Sequence, residues 1–489
     1  MKWKEKGCLS MNKTTKHYFT SLFKRKRKLL ILYTFICFIA YPFLEIASLI
    51  TNGNANTLID ITRTSFTLAL FVLAILAAVL PIFTFKFSHT KKHVDTYFSI
   101  PMNRNHLFKS HFLGPIFGVC VPLLINYLLG GAILIFFRGS IVHYFEMLGL
   151  LLLAFALFAV IYSINSYFVL NTNNVLDSAI ITAGVAILPF VLSSAVTWFV
   201  DTQITNTGMI QAYSITDVLL KLLSPYVGFI NLGSAFSNFF GMVYLDFDNI
   251  LWGYIFYYLV LGVVFYLLAR KTFKKKKGEN AEQLTKAFVT YPLMINIGII
   301  SLVMMFNLVQ MELVEAVLSF VALFIVYMVA KAIANRSVAF NAKMILQFVI
   351  LVGLVNGFNY ISKQTEFFGI NRKVIDYNKY DIVDIYYYPF DEIYDENGED
   401  REFRHRIYIN DLDENEKEFF ELIEEVQKER SIYLKKTGKS WASNTRGNLE
   451  INYKIKDGAA LEVDRFVNFN LNLVEQKKFL ALYDQLKDE

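Results

Sequence analysis

The residues with most chemical capacity crowd into one stretch, 86–111, which reads KFSHTKKHVDTYFSIPMNRNHLFKSH. His89 and His93 stand four apart, as two ligands on one helix face would, and Asp95, His106 and His111 are close in sequence. Such a group could hold a divalent metal. It has no ligand spacing of a known zinc site, however, so the plainer reading is a polar loop that contains four imidazoles. His143 and His405 are isolated and read as surface residues. The acidic segment Asp391–Asp400 (DEIYDENGED) offers oxygen ligands for Ca²⁺ but lacks the alternating acids of an EF-hand. It reads as a solvated loop. The chain has no H-E-x-x-H, G-x-S-x-G or C-x-x-C, and no P-loop G-x-x-x-x-G-K-[ST]. No catalytic residue, metal ligand or cofactor site is therefore expected, and ATP hydrolysis by a P-loop in this chain is excluded.

The elements that must position stretch 86–111 are apolar. Of the 489 residues 55% are hydrophobic, and mean hydropathy is +0.40. A membrane-embedded chain has that composition. About 20 apolar residues in a helix cross ~30 Å of hydrocarbon. Nine stretches qualify: Leu29–Ile50, Phe66–Phe85, Phe112–Phe137, Phe145–Leu170, Ala179–Val200, Ile250–Ala269, Tyr291–Leu308, Leu313–Ala330 and Met344–Phe358. The last three are the shortest. The N-terminus is basic, but Leu29–Ile50 has no small-residue cleavage site after it and reads as a retained span; Met11 is an alternative start.

Charge sets direction. Residues 1–360 hold 28 Lys+Arg and 14 Asp+Glu, whereas residues 361–489 hold 20 and 28. The positive charge lies in short loops beside the spans, where anionic lipid attracts it, so nucleic acid is not an expected partner. Ten basic residues precede the first span, five lie in 86–111, seven in 270–290 and three in 331–343. The alternate loops hold only Arg63, Arg138 and Lys221. By the positive-inside rule the N-terminus is cytoplasmic, and nine crossings put the tail outside. Tyr213–Tyr244 is half apolar but carries Asp217, Lys221, Pro225, Asn231 and Asn238. If it crossed, the Lys274–Lys277 run would face out. Two short helices broken at Ser224-Pro225 are expected instead.

The tail alternates differently. Asp381–Pro389, Phe403–Asn410, Leu449–Lys456 and Leu461–Phe469 read as strands. Asp457-Gly458 begins a turn between the last two. Asp413–Arg430 reads as a helix, and a second helix follows an Asn472/Glu475 capping box. The order is strand, strand, helix, twice over. Cys8, Cys37 and Cys120 all lie outside the tail, so packing alone must hold it. The expected fold is an α-helical polytopic membrane protein of about nine transmembrane helices with a C-terminal two-layer α/β soluble domain. Its parts are a basic N-terminus 1–28, a six-span core 29–270, a basic linker 271–290, three further spans 291–360 and an extracellular domain 361–489.

Within 86–111, Ser88–Phe98 has helical character, with Val94, Tyr97 and Phe98 on one face. Ser99-Ile100-Pro101 breaks it, and Asn103 restarts it. One reading is an interfacial helix on the membrane. The other is a helix shown to a cytoplasmic partner. Ser88, Asp95, Tyr97, Ser99, Pro101, Arg104, Leu107 and Phe108, set between two spans, resemble the stretch D-x-Y-x-S-L-P-x-x-R-x-x-L-F of permease subunits of bacterial type-2 ABC exporters. Ile100 replaces the commoner Leu. Leu222-Leu223-Ser224-Pro225 is also similar to that family, and the resemblance covers about residues 12–270. It implies that loop 86–111 carries a coupling helix, that a separate cytoplasmic ABC ATPase is a partner, and that a second permease subunit, identical or related, completes the path. It implies export of a lipid, drug or antimicrobial peptide across a bacterial plasma membrane. The scarcity of acids in the spans, with Glu45 in the first and Glu146 and Asp177 at span ends, fits energy supplied by a partner. The last three spans and the tail depart from a six-span permease. A membrane-anchored sensor or scaffold whose tail binds a ligand is the alternative, although nine spans exceed what anchoring needs. A membrane enzyme acting on lipids would need clustered acids or metal ligands, which only His89, His93 and Asp95 approach.

Overall fold

The computed structural model describes residues 13–51, 55–100, 102–138, 141–203, 218–232, 249–285, 287–306, 313–337, 341–365, 367–368, 381–389, 403–409, 416–426, 445–457, 460–472 and 477–481. Pro101, Asp391–Asp400, Gly458 and Glu475 lie outside the described residues.

Helix α1 (Lys13–Arg25) leads into the first span. That span is α2 (Arg27–Phe38), a π-helical turn (Ile39–Phe43) around Pro42, and α3 (Leu44–Thr51). Pro42 lacks an N–H and so cannot continue a regular ladder, which accounts for the bulge. Then follow α4 (Ala55–Phe85), the short α5 (Lys91–Phe98), α6 (Arg104–Arg138), α7 (Ile141–Asn171) and α8 (Val175–Gln203). Two short helices, α9 (218–223) and α10 (226–232), flank Ser224-Pro225 as the sequence suggested. Next come α11 (Asn249–Lys275), α12 (Tyr291–Phe306), α13 (Leu313–Asn335) and α14 (Ala342–Gln364). Eight helices among the described residues are long and apolar enough to cross a membrane.

The seventh expected span, Tyr291–Leu308, falls on α12, whose 16 described residues rise about 24 Å; residues 307–312 lie outside the described residues. Its contacts show where it begins. The Tyr291 hydroxyl donates to Asp177 Oδ1 (3.0 Å), and Arg336, just past the end of α13, donates to the same oxygen (3.1 Å). The start of α12 and the end of α13 therefore meet at one carboxylate.

The chain forms two compact units, one of residues 1–189, 220–294 and 334–336, the other of 190–219, 295–333 and 337–489. In the first, α4, α6, α7 and α11 enclose a core that includes Phe66, Phe85, Phe108, Phe112, Phe158 and Tyr162. Gly262 lets α11 approach α7, since a Cβ there would meet the Val160 side chain at 2.8 Å. Outward faces carry bare apolar residues, such as Phe71, Phe83, Phe256 and Val263. A lipid-facing surface has that character, and a water-facing one does not.

In the second unit, Ile299, Val303, Leu323, Tyr327 and Phe348 pack α12, α13 and α14 together. The Gln347 amide joins all three helices: its nitrogen donates to Asn296 Oδ1 (2.8 Å), and its oxygen accepts from Tyr327 (3.1 Å) and Lys331 (3.2 Å). The same unit holds a four-stranded antiparallel sheet, ordered β2-β1-β3-β4, of β1 (Ile382–Pro389), β2 (Phe403–Tyr408), β3 (Thr445–Asp457) and β4 (Ala460–Asn472). Val383, Ile385 and Tyr387 alternate onto one face with Leu449 and Ile451. Phe419, Ile423 and Val426 of helix α15 (416–426) and Phe479 of the turn α16 (477–481) cover that face. The strand order puts β1 and β3 in the middle of the sheet and β2 and β4 at its edges. On the opposite face Asp384 is buried and accepts two hydrogen bonds from Arg406, its cross-strand neighbour (2.5 and 3.1 Å).

The meeting at Asp177 carries a topological prediction. In a chain whose native cysteines are serines, Asn174→Cys and Ser337→Cys should react with a membrane-impermeant maleimide from the same side. Glu425→Cys should react from the other. Opposite-side labelling of the first two would remove the α12–α13 hairpin.

Candidate functional site

Stretch 86–111 folds as a bent arm between α4 and α6. Helix α4 does not run on into α5. Lys86–His89 tightens into a 3-10 turn, and Thr90 is extended (φ −120°, ψ 125°). The cause is local: the Ser88 hydroxyl donates to the Phe85 carbonyl (2.7 Å), and His89 Nδ1 lies 3.1 Å from that same oxygen. Both side chains compete with the backbone ladder and end it. The expected single helix Ser88–Phe98 is thus an irregular turn plus α5. After Ser99 the chain restarts at Asn103, whose side-chain oxygen accepts from the Asn105 N–H (3.0 Å) and caps α6.

Helix α5 has two unlike faces. Val94 is fully buried, and Tyr97 and Phe98 are half-buried against the span core. Tyr97 packs on Phe87 (ring centroids 4.3 Å), and Phe98 meets Phe273 of α11 edge-on at 5.7 Å. Lys91, Lys92, His93, Asp95, Thr96 and Ser99 are exposed. Asp95 lies over Gly278, where a Cβ would come within 2.9 Å of its carboxylate. Arg104 fixes the bend: its guanidinium stacks over the Phe98 ring at 4.2 Å and donates to the carbonyls of Lys274 (2.8 Å) and Lys276 (3.2 Å). A cation on those carbonyls suits the C-terminal end of α11.

The residues of the sequence motif therefore separate. Asp95 and Ser99 lie on the exposed face. Tyr97 attaches α5 to the turn after α4, and Arg104 at the start of α6 joins Phe98 to the end of α11. Ser88, Leu107 and Phe108 are buried at 0–2% exposure and hold the arm from within. The histidines also part. His89 is buried, with Nε2 2.9 Å from the Ser178 hydroxyl and 3.0 Å from that of Thr172, whereas His93 is exposed. His111 is buried against the Tyr18 hydroxyl (2.9 Å). No group of three His, Cys, Asp or Glu among the described residues could hold a metal.

Beside the arm lies a buried polar junction that the sequence did not announce. Lys276 reaches into the loop between α7 and α8 and donates to the carbonyl oxygens of Leu170 (3.0 Å) and Thr172, and to Asn173 Oδ1 (3.3 Å). Asp177 accepts from Thr285 (2.8 Å), Tyr291 and Arg336. Lys276 sits in the run Lys274–Lys277, which reads as uniform positive charge, and nothing in sequence separates the one buried lysine from its neighbours. Asp177 had a weak signal as a lone acid at a span end. Through His89, Lys276 and Asp177 the arm, the α7–α8 loop and the 276–291 segment become one piece.

No family model matches the chain, and neither a curated protein nor a solved structure matches it.

Burial pushes the Lys276 pKa from its usual 10.5 down to about 8. Between those values the unfolded chain binds a proton that the folded chain does not, so stability should rise as pH increases from about 8 to 10.5. The rise is at most about 3 kcal/mol. Unfolding in detergent followed across that range should show it in the wild type and lose it in Lys276→Met. Equal slopes in both would mean that this amine is solvated.

Proposed function

We propose that this chain is the permease subunit of an ABC exporter in a bacterial plasma membrane. A separate cytoplasmic ATPase drives it, and a second permease subunit completes the path. The observation that carries the proposal is α5: a short helix between two spans, locked to them through Val94, Tyr97 and Phe98, with a polar outer face. A force on that face passes to the turn that follows α4 through Phe87, to α6 through Arg104 and to α11 through Phe273. Coupling a motor to helices in this way needs a rigid lever rather than a chemical site, and the absence of a P-loop in the sequence fits a motor on another chain. In this reading the arm is cytoplasmic, as the positive-inside rule suggests for the basic segments, and the α/β unit faces outward, where it caps or senses the exported molecule. The cargo class, a lipid, drug or antimicrobial peptide, rests on the resemblance of loop 86–111. A sensor or scaffold without transport is the second reading; the α/β unit, with a core of its own, is what favours it.

The test combines co-purification with a charge change. Protein taken from mild detergent should carry a stoichiometric P-loop ATPase. The double variant Lys92→Glu/Asp95→Lys should lower ATPase stimulation and transport at least tenfold, with membrane insertion unchanged. A co-purified ATPase whose activity and transport ignore the substitution would remove α5 as the lever. A chain that carries no ATPase would favour the sensor.

A further inference from the structure

Glu45 lies in the first span near its end farthest from the basic N-terminus, and it is fully buried. One carboxylate oxygen accepts from the Thr62 hydroxyl (3.0 Å); the other, Oε2, is buried with no partner at close hydrogen-bond distance, and the Tyr41 phenol is the carboxyl's other hydrogen-bonding neighbour. No lysine or arginine among the described residues pairs with it. The titratable groups that face it are the phenols of Tyr41, on its own span, and Tyr127, on α6. Cys37 and Tyr33 stand a turn or two further back. The surroundings are otherwise apolar and aromatic. Tyr41 packs on Tyr127 (centroids 4.6 Å), Phe66 closes on Tyr127 at 6.1 Å, and the Tyr41 hydroxyl points at Met147 Sδ (3.8 Å). Gly130 is cut to this arrangement, since a Cβ there would fall 2.4 Å from the Tyr41 ring.

The backbone is irregular at the same place. The π-helical turn Ile39–Phe43 ends one residue before α3 brings Glu45 inward, and Ser65 of α4 donates to the Ala40 carbonyl (2.8 Å). Such bulges recur at working sites in helices, and an ionisable group inside a membrane points to function more often than to structure. A carboxylate with a close partner for only one of its oxygens, in aromatic surroundings and with no cation beside it, is costly, whereas a carboxylic acid in the same place is not.

We propose that Glu45 is a proton-binding site within the membrane, which takes up and releases a proton as pH changes. The proton resides on Oε2, with Thr62 donating to Oε1. Tyr41 and Tyr127 supply the polar edge along which it arrives. This site is independent of α5 and of the reading of the protein as an ABC permease.

Infrared difference spectra of the full chain in lipid nanodiscs test it directly. The wild type should show a protonated-carboxyl C=O band at mildly acidic pH that is lost as pH is raised, and Glu45→Gln should lack it. No such band at acidic pH would mean a permanently ionised group, and a band that persists through alkaline pH would mean a locked structural acid. Either result overturns the proposal. If Glu45→Gln does not fold, Glu45→Asp should shift the band rather than delete it, and the wild-type titration decides in the same way.

Discussion

Inside hydrocarbon a polar group must find its partner within the protein, and one carboxylate shows how much of this fold hangs on that demand. Asp177 is almost fully buried at the start of α8 and accepts from Thr285, Tyr291 and Arg336, which come from three later parts of the chain. Each is thereby brought to one level. The start of α12 and the end of α13 are held there side by side. Lys276 does the same for the α7–α8 loop, and His89 for the turn before α5. These ties share the same loop, so the arm, the short loop and the basic linker are held as one body.

That rigidity gives α5 its significance. A helix lying loosely on a membrane surface would be amphipathic too. Here the inner face is fixed by aromatic contacts to two different spans, and Arg104 joins the bend to the end of α11. Motion of α5 therefore cannot stay local. The α/β unit has the opposite character: its core is internal to itself, and alternation in β1 and β3 builds it without help from the spans.

Much of this was legible in sequence because it depends on periodicity. Runs of apolar residues gave the long helices, alternation gave the four strands, and Ser224-Pro225 gave the break between α9 and α10. Long-range side-chain partnerships have no period. The ion pair of Asp177 spans 159 residues, and the one buried lysine of Lys274–Lys277 looks like its neighbours. In the arm, the motif marked the right stretch but not the division of labour: Leu107 and Phe108 look like contact residues in a string of letters and are core residues in space. Glu45 was visible as a lone acid, but only the fold shows that it is buried among Tyr41, Thr62 and Tyr127 with no cation beside it.

The central claim is that the outer face of α5 is where another protein drives this one. A photo-crosslinking residue placed at Thr96, which is exposed on that face, would test it in native membranes without purification. The account predicts a crosslink to a P-loop ATPase that is lost when the same group is moved to the buried position Val94. A crosslink only to lipid, or none to any ATPase, would contradict it.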